Sequence, residues 1–469
     1  MGGATTLGTC CILVTDLVIK NSRLVIPGTG IVEAGLAVEE GKISAITKDT
    51  NLPEANRTID AKGNFVLPGA IDPHTHIGAF KTFGEEYVKE TQGAANGGIT
   101  TVGVYFRTDK SYDDVFADSK KFANSVAMTD TIFHFGLIND LHLDEMPKYL
   151  SKFGVASFKL YFAGVPEIGI LANSDGFSFE ALGRVAALGP PAIINIHAEN
   201  GEIVDYIKSH ISHERKDLAA WSDTSPNFTE GEIVTRASTY ARVQNAPIYF
   251  VHLNTKEGVE AVVDAKAKHP KIWVETCPHY LTISKNDDTD YKVGKLGKTL
   301  PPLREKESVQ KLWCGLASGA IDTVGTDHLA VRKEQRQLEK DIWECFVAWQ
   351  GMETMLPVLL FEGVNKNRIS LERAAEVSST NSAKAFGLFP KKGTIAVGSD
   401  ADLVIVDMNK KVKVGPEILR GTADFTLYDG KTFTGWPIMT ILRGNVTMEE
   451  GKIVGKPGTG QYLPRGPAA

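Results

Sequence analysis

The sequence predicts an α/β protein: a (β/α)8 TIM-like barrel with a small β-sandwich domain built from both chain ends. Two observations predict it. Short apolar runs recur eight times between Val66 and about Leu388, most of them followed by segments with apolar residues at helical spacing. Strand alternating with helix argues for a parallel sheet, and a count of eight argues for closure into a barrel. Outside that stretch, both ends change to short β-rich runs broken by tight turns. The boundaries that follow are 1–64 for the N-terminal part of the sandwich, 65–388 for the barrel, and 389–469 for the C-terminal part of the sandwich and tail.

Taken in order, the chain opens on Met1-Gly2-Gly3-Ala4-Thr5-Thr6, which fits the M-G-x-x-x-[ST] myristoylation pattern, with Cys10 and Cys11 close behind. The pattern is short, and the segment reads as a flexible leader. Asp16 to Ile46 (DLVIKNSRLVIPGTGIVEAGLAVEEGKISAI) alternates β-rich runs with Asn-Ser, Pro-Gly and Glu-Gly turns, which predicts a small antiparallel sheet. GTIAVGSDADLVIVD (393–407) and MTILRGNVTMEEGKIVG (439–455) have the same texture, so the two ends are expected to pair.

The eight central runs are VLPGAIDPHTH at 66, ITTVGVYF at 99, TIFHFGLI at 131, ASFKLYF at 156, AIINIHAE at 192, PIYFVHLN at 247, IWVETCPHYL at 272 and IDTVGTDH at 321. Between them, stretches such as 111–127 and 231–244 carry apolar and charged faces at helical spacing. No repeat of fixed period suggests a solenoid.

Composition narrows the classes. With 42% hydrophobic and 23% charged residues, the chain reads as a soluble globular protein. A net charge of -6 supplies no basic patch for nucleic acid, and no apolar stretch is long enough to span a bilayer. The five cysteines are irregularly spaced with no CxxC pair, which excludes a disulfide framework and a thiolate zinc knuckle and predicts a reducing, cytoplasmic setting.

The informative residues are polar ones at the ends of apolar runs, where a barrel places its functional groups. An H-x-H pair puts both imidazoles on one side of a strand, and neutral imidazole is a common metal ligand. His74 and His76 end the first run, Lys159 lies in the fourth, His197 and His252 end the fifth and sixth, and Asp327 ends the eighth. Singly, His197 or His252 would read as a hydrogen-bonded core histidine, and Asp327 as a helix cap. A lysine in an apolar strand is rare unless paired. Together the six predict one site.

The set HTH, FKLYF, IHAEN, FVHLN and GTDH resembles the amidohydrolase superfamily, specifically its cyclic amidohydrolases: dihydropyrimidinases, hydantoinases and allantoinases, with dihydroorotases close by. LPGAIDPHTH, GGITTV, ETCPHYL, LPPLR and GSDADLVIVD follow in the family's order, and VGKPGTGQYL looks most like dihydropyrimidinases and hydantoinases. The resemblance implies two divalent metals, usually zinc. His74, His76 and Asp327 would bind one, His197 and His252 the other, and Lys159 would bridge both as a carbamate formed from CO2. It further implies attack of a metal-bridging hydroxide on a cyclic amide (a hydantoin, dihydropyrimidine, ureide or imide), with Asp327 as general base and then acid. Small-molecule substrates and a homo-dimer or homo-tetramer are implied by the same resemblance.

The substrate shell departs from the family. The tyrosine that commonly lies five residues after the lysine is replaced by Gly164, with Tyr161 the nearest tyrosine. Leu300 stands where hydantoinases often have a serine, and FVAWQGMET, which carries Gln350, looks closer to the allantoinase AWGG region. Tyr161, Gly164, Leu300 and Gln350 are therefore the candidate substrate contacts. Glu199 and Asn200 are candidate supporting or capping groups, His279 reads as structural as readily as functional, and His328 should point away from Asp327. Cys277 is not needed as a nucleophile. The competing readings are a hydrolase of a linear or unusual amide, a metal-dependent deaminase, and a non-enzymatic scaffold like the collapsin response mediator proteins, which lack the metal ligands.

Overall fold

Runs rich in Val, Ile and Phe, apolar on both faces, form strands that can only be buried on both sides, and this is what parallel sheets require. The structure is a computed structural model and describes residues 14–78, 83–165, 170–211, 214–286, 289–329 and 331–466. The Gly2, Cys10 and Cys11 pattern lies outside them. All eight central runs contain a strand: β1 Ala70–Thr75, β2 Ile99–Phe106, β3 Asp130–Gly136, β4 Ser157–Tyr161, β5 Ile193–His197, β6 Ile248–Phe250, β7 Ile272–Thr276 and β8 Thr323–Val324. They pair in sequence order, each parallel to the next. Closure comes where the chain after β8 meets the end of β1: Thr75 bridges His328, and the His76 amide donates to the His328 carbonyl at 2.8 Å. Helices such as Asp113–Ser125 and Phe228–Gln244 cover the outside, at the stretches where helical spacing predicts them.

The two ends form the sandwich. One sheet has four strands, all from the N-terminal part, and the other has seven, drawn from both ends. Leu17, Leu36, Val38 and Ile43 pack against Leu24, Val66, Leu403, Ile405 and Ile441 in a single apolar core. Two details differ from the sequence expectation. The segment 16–46 does not make one antiparallel sheet: the chain switches sheets at Asn21, whose φ is 53°, and Thr15–Lys20 runs parallel to Ala55–Asp60. The run from Val66 to His76 is likewise two strands. Phe65–Pro68 pairs with Leu403–Lys413 in the sandwich, and only Ala70–Thr75 enters the barrel. The joint is Gly69, where a Cβ would stand 2.4 Å from the Thr100 side chain, so no larger residue fits between the two sheets.

A buried ion cluster pins the base of the barrel to the sandwich. Lys392 reaches Asp130 at the start of β3 (2.7 Å), Asp400 (3.1 Å) and Asp402, and Arg443 also pairs with Asp130. The tail runs alongside: Leu463 donates to the Thr131 carbonyl, and buried Arg465 donates to Ser157 Oγ at 2.9 Å, two residues before Lys159.

Candidate active site

Strand alternation and closure bring the six predicted residues to one end of the barrel. His74 and His76, two residues apart on β1 and its extension, both aim Nε2 at Asp327 Oδ1, at 3.0 and 2.9 Å. Ligand atoms of these three residues lie within 4.8 Å of one another. His197 ends β5 and His252 follows β6, and they face each other with Nδ1 and Nε2 2.9 Å apart. The two groups adjoin, since the His74 and His252 ring centroids are 5.6 Å apart. Lys159 is 1% exposed on β4. Its amine lies 5.0 Å from the Tyr105 ring centre, and the same ring packs tilted against His74, with centroids 4.4 Å apart.

Two of these residues have left-handed backbone: φ is 43° at His252 and 51° at Asp327. Such a conformation costs a non-glycine residue of the order of 1 kcal/mol and persists where the surroundings impose it. Glu230, on the helix Phe228–Gln244, does so after His252: it accepts from the Asn254 amide (3.0 Å), the Thr255 amide (2.8 Å) and the Thr255 hydroxyl (2.5 Å). Asp72 does so before Asp327, accepting from the amide and hydroxyl of Thr326 at 3.0 and 2.5 Å.

The charges are strongly coupled. Burial alone would raise the Asp327 carboxyl, but His74 and His76 hold it well below the usual carboxylate range. Burial alone would lower His74, yet Asp327 and Glu275 push it up to about 9. Burial, with His197 and Lys159 adding to it, takes His252 well below its ordinary value, so it is neutral. Burial also lowers Lys159 to about 7, with Asp327 and Glu275 opposing, so a good fraction of the amine is uncharged near neutrality.

This donor set fits divalent metal. His74 Nδ1 lies 2.8 Å from Glu275 and His197 Nε2 3.0 Å from Glu199, so each ring donates an N–H hydrogen bond to a carboxylate and turns its other nitrogen inward. The elevated value of His74 reports the same field: a site whose carboxylates draw a proton onto an imidazole will also draw a cation.

Glu275 and Asp72 are the supporting residues that sequence reasoning missed. Their signal was a carboxylate inside a buried apolar run, in IWVETC and LPGAIDP. Glu275 is bound three ways, by His74, by the His252 amide (3.0 Å) and by the Tyr249 hydroxyl (2.8 Å).

Over the cluster opens a cavity of about 590 Å3, lined by His76, Lys159, His197, His252 and Asp327 and walled by Phe106, Trp221, Phe346 and Trp349. Tyr161, Gly164 and Leu300 line it. Beside Gly164, Val165 bridges Ile170, and a Cβ on Gly164 would stand 2.9 Å from the Ile170 carbonyl oxygen. A side chain at this position would require the Ile170 backbone to shift. Gln350 does not line the cavity: it is buried behind it, because Trp349 bridges Leu329 in extended backbone and takes the inward side. His279 is buried against Trp349 and off the lining. His328 turns outward and pairs with Glu90 at 2.7 Å. Burial pushes the Cys277 thiol well up, so it offers no thiolate.

Comparison with known proteins agrees with this geometry. The model of the amidohydrolase family matches residues 192–447. The chain is 37% identical to L-hydantoinase of Paenarthrobacter aurescens over 458 residues, covering 96% of this chain and 98% of that one. It is 35% identical to D-hydantoinase of Geobacillus stearothermophilus over 462 residues, covering 95% and 96%. Among solved structures, the L-hydantoinase (dihydropyrimidinase) of Arthrobacter aurescens superposes with a TM-score of 0.90 at 36% identity, covering 96% of this chain and all of that one. The dihydropyrimidinase of Brevibacillus agri superposes at 0.88 with 31% identity, covering 96% and 99%. With the barrel, the sandwich and the histidine–carboxylate mouth in place, the chain belongs to the amidohydrolase family, as an enzyme of its cyclic-amide branch.

Proposed function

We propose that this enzyme opens a cyclic amide ring (a hydantoin, dihydropyrimidine, ureide or imide) at a site holding two divalent metal ions, with zinc as the first candidate. The observation that carries the reading is the convergence of His74 and His76 on Asp327, beside the facing pair His197 and His252, with Lys159 buried close to both.

His74, His76 and Asp327 would hold one ion, His197 and His252 the other, and Lys159 would bridge them after its neutral amine adds to CO2. An ammonium has no lone pair to offer a metal, whereas a carbamate is an anion with two oxygens. Two such ions would supply the means to lower the pKa of water and to polarise an amide carbonyl. Asp327, ionised and 4% exposed, is placed to take a proton from the attacking water and return it to the ring nitrogen as that bond breaks. The product is an N-carbamoyl or N-acyl acid. Tyr161, two residues beyond Lys159 and on the same side of the strand, has its hydroxyl pushed up to about 12 by burial, so it serves as a hydrogen-bond donor to the ring. The aromatic walls exclude water from the ring's faces and orient it. A complete ligand set argues against the scaffold reading.

The test is ring opening by zinc-loaded protein across dihydrouracil, hydantoin, a 5-substituted hydantoin, allantoin, succinimide and dihydroorotate. Turnover of one ring or more supports the reading. Two bound metals with no ring opened would redirect it to a linear amide.

A further inference from the structure

The cavity carries a charged group that ring opening itself does not use. Arg107 directly follows β2 and lines the cavity on the side of the metal-binding cluster. Its side chain lies along β3, where a Cβ on Gly136 would be 3.4 Å from the Arg107 Cγ. Gly136 is paired in register with Lys159 on β4, and the Lys159 amine lies 5.2 Å from the centre of the Tyr161 ring, which lines the same cavity. Arg107 is therefore one strand away from Lys159 and opens onto the same cavity.

The other charged residues along the wall are differently placed. Lys298 donates to the carbonyls of Trp343 (3.2 Å) and Cys345 (2.7 Å), and Lys208 lies 5.6 Å from the centre of the Trp221 ring. Glu199 is engaged by His197, Ser225 and Arg304. Asp205 and Glu344 line the same cavity. Arg107 is singled out by its place beside Gly136, the register partner of Lys159, and its guanidinium matches a carboxylate with two parallel donors, a geometry that a lysine cannot offer.

We propose that the substrate is a cyclic amide whose ring bears a carboxylate-containing substituent, and that Arg107 binds that carboxylate and so determines specificity. This rests on the ring-opening reading above and adds the chemical class of the substituent. The amide to be cleaved sits over the histidine–carboxylate cluster, and the substituent extends past Tyr161 to Arg107.

The experiment compares hydantoin-5-acetic acid with its carboxamide, which has nearly the same shape and no charge, for the zinc-loaded wild-type, Arg107→Met and Arg107→Lys proteins. The wild type should favour the acid over the amide in kcat/KM by about ten- to a hundredfold, a difference carried mainly by KM. Arg107→Met should collapse that ratio towards one, with Arg107→Lys in between. Equal use of acid and amide by the wild type, or an unchanged ratio in Arg107→Met, overturns the proposal while leaving ring opening intact. If neither compound is opened, the six-ring panel above decides on ring opening, and binding decides on Arg107. Thermal stabilisation of the zinc-loaded wild type by the acid, absent in Arg107→Met, would retain the carboxylate site; equal shifts in both would reject it.

Discussion

Glu275 sits 2.8 Å from Nδ1 of His74, and the same oxygen accepts the backbone amide of His252 at 3.0 Å. One carboxylate thus orients a ligand from each half of the proposed metal site. It fixes the His74 tautomer so that Nε2 faces inward, and it holds the strained turn at His252.

Glu275→Gln should therefore weaken the site without unfolding the protein. The amide nearly keeps the shape but loses the charge that sets the tautomer. Loss of such an outer partner costs about 10–100-fold in metal affinity or activity. Zinc affinity by chelator competition and kcat on the best ring should fall together, while far-UV circular dichroism stays unchanged.

Lys392→Met tests the joint between barrel and sandwich. Lys392 is 1% exposed and meets three carboxylates, and its removal leaves Asp130, Asp400 and Asp402 buried, with Arg443 paired to Asp130. Breaking a buried ion pair from one side costs about 3–5 kcal/mol. Chemical denaturation should show a loss of that order, with the metal site of the remaining folded protein unaltered.

Glu353 gives a pH signature of known sign. Burial pushes its carboxyl up to about 7, although Asn96 and the Arg420 and Gly421 amides hydrogen-bond to it. Between its ordinary value and about 7 the native state holds a proton that the unfolded chain has released. Its contribution to stability is therefore full at low pH and is lost as pH rises through 7. Glu353→Gln should remove this part of the slope, so that the change in Tm between pH 5.5 and pH 8 differs from wild type by about 1–3 °C. An unchanged slope would show that the three hydrogen bonds outweigh burial.

Much of this was legible in the sequence because the relevant signals are local. Each barrel strand is a buried apolar run with its polar residue at one end, so His74, His76, Lys159, His197, His252 and Asp327 could be placed from pattern alone. What escaped depends on distant partners. Gly69 looked like part of one strand because only Thr100, on the next strand, forces the break. Gln350 looked like a mouth residue because the inward side of its segment is set by the pairing of Trp349 with Leu329. Arg465 sits in an unremarked tail, yet it reaches Ser157 beneath Lys159 across some three hundred residues of chain. Glu275 gave a signal, a carboxylate in an apolar strand, but its partners His74 and Tyr249 come from other strands.

The central claim is that Lys159 joins two metal-binding halves into one site. The most direct measurement is metal content per chain, with activity, for wild-type protein and Lys159→Ala expressed and purified identically with zinc and bicarbonate. The account predicts two ions per chain in the wild type. In the variant it predicts one or none, with ring opening reduced to background and bound zinc and activity lost together. Two retained ions with substantial activity in Lys159→Ala would contradict it.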